Sequence, residues 1–172
     1  MTVTVNILIT GPPGIGKTTL IRNVCDALGD QNIAGFYTEE MRPHGERRGF
    51  ELVGLNGERA VLSHVDIRSP FRVGKYGVDL DTLDRFIQKL AILEPPTDLI
   101  IIDEIGKMEC FSACFRHLTQ KALASETPVV ATVAQRGGGF ITEVKDRWDV
   151  RLLNMDWDNR DQFLPQVLGQ LP

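Results

Sequence analysis

The sequence predicts a three-layer α/β domain on a mainly parallel sheet with helices on both faces, and three observations carry that prediction. Apolar extended runs alternate with amphipathic helical stripes along most of the chain. The strongest runs, "VNILIT", "LIIID" and "VVATVA", are apolar at nearly every position, as strands buried on both faces are. A glycine-rich turn, "TGPPGIGKTTL", joins the first run to the first stripe. Residues 36–78 interrupt the alternation with a β-rich stretch that reads as a hairpin insertion along one edge.

In chain order, residues 3–10 form the first strand. A helix over 18–28 follows, its stripe made by Leu20, Ile21, Val24, Ala27 and Leu28, with Gly29 as its stop. Residues 33–39 read as a second strand. In "GFELVGLNGERAVLSHV" the pair Asn56-Gly57 joins two extended runs, because it tolerates the positive φ angles of a tight hairpin turn. Residues 73–78 add a short strand. Asp79 caps a helix carrying Leu80, Leu83, Phe86, Ile87 and Leu90, and Pro95-Pro96 closes that section. The run 99–103 is the most apolar strand. Residues 112–124 are helical, with Phe111, Phe115, Leu118 and Ala122 on one side. Pro128 introduces the "VVATVA" strand. Ile141, Val144 and Trp148 mark a short helix, 150–154 a last strand, and Pro165 the first turn of a terminal helix beginning near Leu164.

The 172 residues fit one domain, and 42% hydrophobic with 24% charged residues is the balance of a soluble globular protein. A net charge of −4 argues against binding nucleic acid through its phosphates. No apolar run approaches the roughly 20 residues that span a bilayer. The start, "MTVTVNILIT", lacks the basic residues and cleavage site of a signal peptide, so a cytoplasmic protein is expected. Cys25, Cys110 and Cys114 are then reduced, structural thiols, and His44, His64 and His117 are too scattered for catalytic zinc.

Gly11, Gly16, Lys17 and Thr18 fill the phosphate-loop pattern G-x-x-x-x-G-K-S/T, with Pro12, Pro13, Gly14 and Ile15 between the glycines. The glycines let backbone N–H groups face inward, and the helix that follows adds its N-terminal donors and positive dipole end. Lys17 brings a mobile charge to the β- and γ-phosphates. Thr18 offers a hydroxyl to Mg²⁺, and Thr19 reaches a phosphate further back. A nucleoside triphosphate is the expected ligand. Asp103 ends the "LIIID" strand at the edge where open α/β sheets bind ligands, so it is the expected metal partner. Glu104, directly after it, can polarise a water behind the γ-phosphate, which favours hydrolysis over transfer to an acceptor.

The segments "GPPGIGKTTL", "GFYTEEMR", "RRGFEL", "VGKYGVD", "IIIDEIGKMEC" and "NRDQFLP" occur in this order over nearly the whole chain. Together they resemble the small nucleoside-triphosphatase family, described from thermophiles and from humans as the cancer-related nucleoside triphosphatase. That resemblance implies a RecA-like P-loop fold, with one strand between the phosphate-loop strand and the strand of Asp103. It also implies Mg²⁺-dependent hydrolysis of several nucleoside triphosphates, with Glu104 as base.

Five arginines in predicted loops can neutralise charge on the γ-phosphate: Arg42, Arg47, Arg48, Arg136 and Arg160, with Arg42 and Arg136 the main candidates. Asn159 and Arg160 can instead line the base or ribose pocket. Thr132 either senses the γ-phosphate or packs. Lys107 either pairs with Glu104 or Glu109 or faces solvent, and "QRGGGF" is a lid or a surface loop. No Asn-Lys-x-Asp guanine signature is present, so broad base specificity is expected, in a monomer or weak oligomer. A small-molecule or nucleoside kinase, and a slow nucleotide switch, are the alternatives.

Overall fold

The computed structural model describes residues 6–172; positions 3–5 of the first predicted strand lie outside the described residues. The elements run β1 (Asn6–Thr10), α1 (Lys17–Ala27), β2 (Ile33–Met41), β3 (Gly49–Gly54), β4 (Arg59–His64), β5 (Arg72–Val73), β6 (Tyr76–Val78), α2 (Leu80–Lys89) and β7 (Leu99–Ile105), and then α3 (Ala113–Leu123), β8 (Val129–Val133), α4 (Phe140–Lys145), β9 (Val150–Asn154) and α5 (Phe163–Leu168).

These strands form one sheet in the order β5-β6-β4-β3-β2-β7-β8-β1-β9. The expectation of a mainly parallel sheet is corrected here. Strands β2, β7, β8, β1 and β9 run parallel, but β3, β4, β6 and β5 continue the same sheet with antiparallel pairings. The reason is a series of short turns, after Met41, at Asn56-Gly57 and at Gly74: a short turn returns the chain beside itself, so the strands it joins must be antiparallel. The stretch that read as an insertion therefore builds nearly half of the sheet. Strand β2 joins the two parts. Its first residues, Ile33 to Phe36, pair with Leu99 to Ile102 of β7, and from Phe36 to Met41 it pairs with Gly54 to Gly49 of β3. Gly35 sits at that junction with φ 135°, and a Cβ there would overlap the carbonyl oxygen of Ile101. Only glycine allows β2 to lie so close to β7.

Alternate residues of the central strands feed two cores. Ile7, Ile9, Leu99, Ile101 and Val130 face α1 and α5 through Leu20, Ile21, Val24, Phe163 and Val167. Leu8, Ile100, Ile102 and Ala131 face α2, α3 and α4 through Leu83, Phe86, Phe115, Ala122, Ile141 and Val144. Phe36 is fully buried between Phe86 and Phe115, with ring centroids 5.8 and 6.4 Å away in edge-on geometry. Burying each such ring contributes about 1.5–3 kcal/mol. The helices begin where capping chemistry begins them: Asp79 Oδ1 accepts from the Thr82 N–H at 2.9 Å for α2, and Ser112 Oγ from the Phe115 N–H at 2.9 Å for α3.

Three local expectations change. Residues 73–78 divide into β5 and β6, because Gly74 takes φ 57° and turns the chain. Phe111 precedes the Ser112 cap, so it leaves the α3 stripe and meets Phe71 at 5.5 Å on the surface. Helix α4 stops at Lys145, which leaves Trp148 82% exposed. Among the described residues no helix is long and apolar enough to cross a membrane.

Candidate active site

The loop of residues 11–16 crosses from the end of β1 to the start of α1. Gly14 and Gly16 hold φ angles of 76° and 105°, which favour glycine, and Ile15 is buried against the core and anchors the loop from below. No side chain caps α1, so its leading N–H groups keep their capacity for an anion. The Lys17 ammonium lies inside the loop and donates to the carbonyls of Gly11 at 2.9 Å and Pro12 at 3.2 Å. Pro13, exposed at the loop's tip, and Thr19, in the first turn of α1, complete the segment.

Asp103 lies across the sheet edge on β7 and is 1% exposed. Its carboxylate ties three elements together. Thr18 Oγ1 of α1 donates to Oδ2 at 2.7 Å, Thr132 Oγ1 of β8 donates to Oδ1, and the Thr38 N–H of β2 approaches Oδ2 at 3.5 Å. Burial raises the Asp103 pKa above the ordinary carboxylate range, opposed by the hydroxyls of Thr132 and Thr18, the Thr38 N–H and the Lys17 charge. Thr132 thus neither faces the loop alone nor merely packs: it holds the aspartate.

The register between β7 and β8 shifts between Ile102 and Ile105, so Asp103 and Glu104 fall where the ladder is interrupted. Burial, and then the neighbouring Asp103 charge, raise the Glu104 pKa; Lys17 and Lys145 pull it back. A third carboxylate stands behind it. Glu109 is 5% exposed, accepts from the backbone N–H groups of Gly106 and of Glu109 itself, and is pushed up to about 8 by burial and then by the Glu104 charge. The two glutamates flank Gly106, whose Cβ position would lie 2.8 Å from Glu109 Oε2 and 2.9 Å from Glu104 Oε1. Any side chain at that glycine would push them apart.

The donor pair at this edge is oxygen only, the Thr18 hydroxyl and the Asp103 carboxylate, which suits a hard divalent cation completed by phosphate oxygens and water. A family model described as NTPase matches residues 6–168. The chain belongs to this NTPase family. The nucleoside-triphosphatase THEP1 of Thermotoga sp. strain RQ2 is 46% identical over 96% of this chain and 94% of its own length. The human cancer-related nucleoside-triphosphatase is 36% identical over 95% and 94%. The fold agrees as well: the crystal structure of THEP1 from Aquifex aeolicus superposes with a TM-score of 0.86 at 34% identity, covering 96% of this chain and 98% of that one. As the resemblance implied, β8 lies between the phosphate-loop strand β1 and the Asp103 strand β7 of this NTPase-family chain.

The structure brings the phosphate loop, Asp103, Glu104 and Thr132 together, and the remaining candidates are distributed around them. Asn159 and Arg160 lie in the β9–α5 connection, which touches the loop through Met155: its N–H donates to Thr10 at 2.8 Å, and a Cβ on Gly11 would overlap its carbonyl oxygen. The Asn159 amide spends itself within that connection, accepting from the Asp156 N–H and donating to the Asn154 carbonyl, each at 2.9 Å. Arg42 and Arg47 pair with Glu40 on the antiparallel wing, and Arg48 with Asp66. Arg136 is exposed in the glycine-rich loop after β8, and Lys107 is exposed. Two neighbours of Glu104 were missed. Lys145, on α4, donates to the Gln135 carbonyl at 3.1 Å and carries positive charge toward Glu104; nothing local distinguishes it from a solvated helix-end lysine. Glu109 had a signal, a third acidic residue just past a wholly apolar strand, but its burial is a tertiary fact.

Proposed function

We propose that the chain hydrolyses nucleoside 5'-triphosphates to the diphosphate and phosphate, with Mg²⁺ and broad base specificity. The observation that carries this reading is the Thr18–Asp103 hydrogen bond of 2.7 Å, which joins the phosphate loop to the carboxylate strand with Glu104 next in line. Thr18 and Asp103 would hold the cation, which supplies Lewis-acid neutralisation of the phosphate oxygens. The loop N–H groups and Lys17 bind and orient the β- and γ-phosphates. Glu104 accepts the proton of the attacking water at its carboxylate, and its raised pKa brings it closer to the working pH, where a general base is most effective. Arg136, in the loop leading on from Thr132's strand, is better disposed than Arg42 to stabilise developing charge, since Arg42 is engaged by Glu40.

The same reading makes the chain one domain, a cytoplasmic monomer or weak oligomer, and the net charge of −4 supports nucleotides rather than nucleic acid as its partners. The test is phosphate release from ATP, GTP, CTP and UTP with Mg²⁺ and no acceptor, in wild type and Glu104→Gln. Release from several bases, lost in the variant, is expected. Release that requires an added acceptor would make the chain a kinase.

A further inference from the structure

The β9–α5 connection carries a tryptophan that the phosphate-loop mechanism leaves without a task. Trp157 is 64% exposed, unusual for a large aromatic side chain. Its backbone is nonetheless tightly ordered: Asp156 Oδ1 accepts from the N–H groups of Asp158 and Asn159, both at 2.9 Å, and the Asn159 amide closes the turn from the other side. The Arg160 guanidinium covers the indole at 5.0 Å from the ring centroid and lies 3.5 Å from Asp161. The connection itself rests on the phosphate loop through Met155, two residues before the indole, and α5 continues from it to pack on α1. An exposed aromatic plane, backed by a cation and mounted on a braced turn beside a phosphate cradle, has the makeup of a stacking platform.

We propose that Trp157, backed by Arg160, is the surface on which the base of the bound nucleotide stacks, and that stacking is how the site accepts several bases. The proposal rests on the reading of residues 11–19 as a nucleoside-triphosphate site. Every base has a π face, so a platform of this kind grips purines and pyrimidines alike without reading their edges.

The chain has two tryptophans, Trp148 and Trp157. They lie on either side of β9, so Trp148→Phe leaves a single reporter at the platform. Fluorescence of that variant is titrated with the Mg²⁺ complexes of ADP, GDP, CDP and UDP and with inorganic tripolyphosphate, and KM and kcat are measured for Trp157→Ala and Trp157→Phe. Quenching by the nucleotides but not by tripolyphosphate is expected. Trp157→Ala should raise the KM for ATP and GTP about tenfold with the loss on KM rather than kcat, and Trp157→Phe should restore most of it. An unchanged nucleotide KM in Trp157→Ala overturns the proposal, as does equal quenching by tripolyphosphate, which would report loop movement instead of stacking. Failure of the underlying site reading shows separately: unsubstituted protein would then neither bind nor hydrolyse a nucleoside triphosphate.

Discussion

The parallel half of the sheet and its antiparallel wing both carry many acidic and basic side chains, and they use them in opposite ways. On the wing, charges face solvent and meet one another: Arg59 lies 2.8 Å from Glu39 and 2.6 Å from Glu51, while Arg42 and Arg47 share Glu40. The slight burial of Glu40 is outweighed by hydrogen bonds from those two arginines, and its pKa falls. At the edge of the parallel half, Asp103, Glu104 and Glu109 follow one another in seven residues and are all raised by burial, and the positive charges that act on Asp103 and Glu104 are those of lysines, Lys17 and Lys145. Paired exposed charges contribute little to stability. Buried carboxylates held by hydroxyls and backbone N–H groups are costly for the fold, and such perturbed groups cluster at functional sites. The wing spends its charges on surface pairs, and the parallel edge buries them.

That contrast would break first at Lys17. Lys17→Ala should abolish triphosphate binding or turnover, and unchanged kinetics would remove the site from the parallel edge altogether. Next in size, Glu104→Gln should keep nucleotide affinity, measured by calorimetry, and lose a factor of roughly 10²–10⁴ in kcat; an equal rate would mean that another group positions the water. Thr132→Val takes away one hydroxyl from Asp103, and denaturant unfolding should show a loss of about 1–3 kcal/mol, the cost of a buried acceptor left without its partner.

Glu109→Gln sharpens the comparison through pH. With the folded pKa near 8 against an ordinary 4.5, the folded state keeps a proton that the unfolded chain has released throughout that interval. Wild-type stability therefore falls as pH rises from about 4.5 to 8 and levels above it, whereas glutamine cannot titrate. Melting temperatures across that range should show the variant gaining on wild type as pH rises; parallel curves would contradict a buried, protonated Glu109. The smallest effect belongs to the wing. Glu58, 3.4 Å from Lys89 at the hairpin end, can become Gln at a cost within about 1 kcal/mol and with hydrolysis unchanged. A loss of activity there would tie the wing to the reaction.

The features that local sequence could reveal are those with local causes. The phosphate loop is a run of backbone conformations that glycines permit, followed by a helix start, and all of it lies within nine residues. The hairpin at Asn56-Gly57 and the cap at Asp79 are equally local, and each stands where it was read. Asp103 stood out because it is an acidic residue directly after four apolar strand residues, although β7 runs on through it to Ile105. The polarity of the sheet was misjudged because strand pairing is a contact between distant segments; β2 pairs in both senses, and no residue within it announces that. Thr132 could be read from sequence only as a γ-phosphate sensor or a packing threonine, until β8 placed it against a carboxylate 29 positions away.

The sequence by itself determined the local pieces, the glycine turn of residues 11–16 and the helix that follows it, since turns, caps and periodic stripes depend on neighbours a few positions apart. Only the tertiary structure decided which carboxylates are buried, which arginines are already engaged on the wing, and that Met155 of the β9–α5 connection rests against Gly11. Burial and proximity arise when the chain closes on itself, and the raised pKa values of Glu104 and Glu109 exist only after that closure.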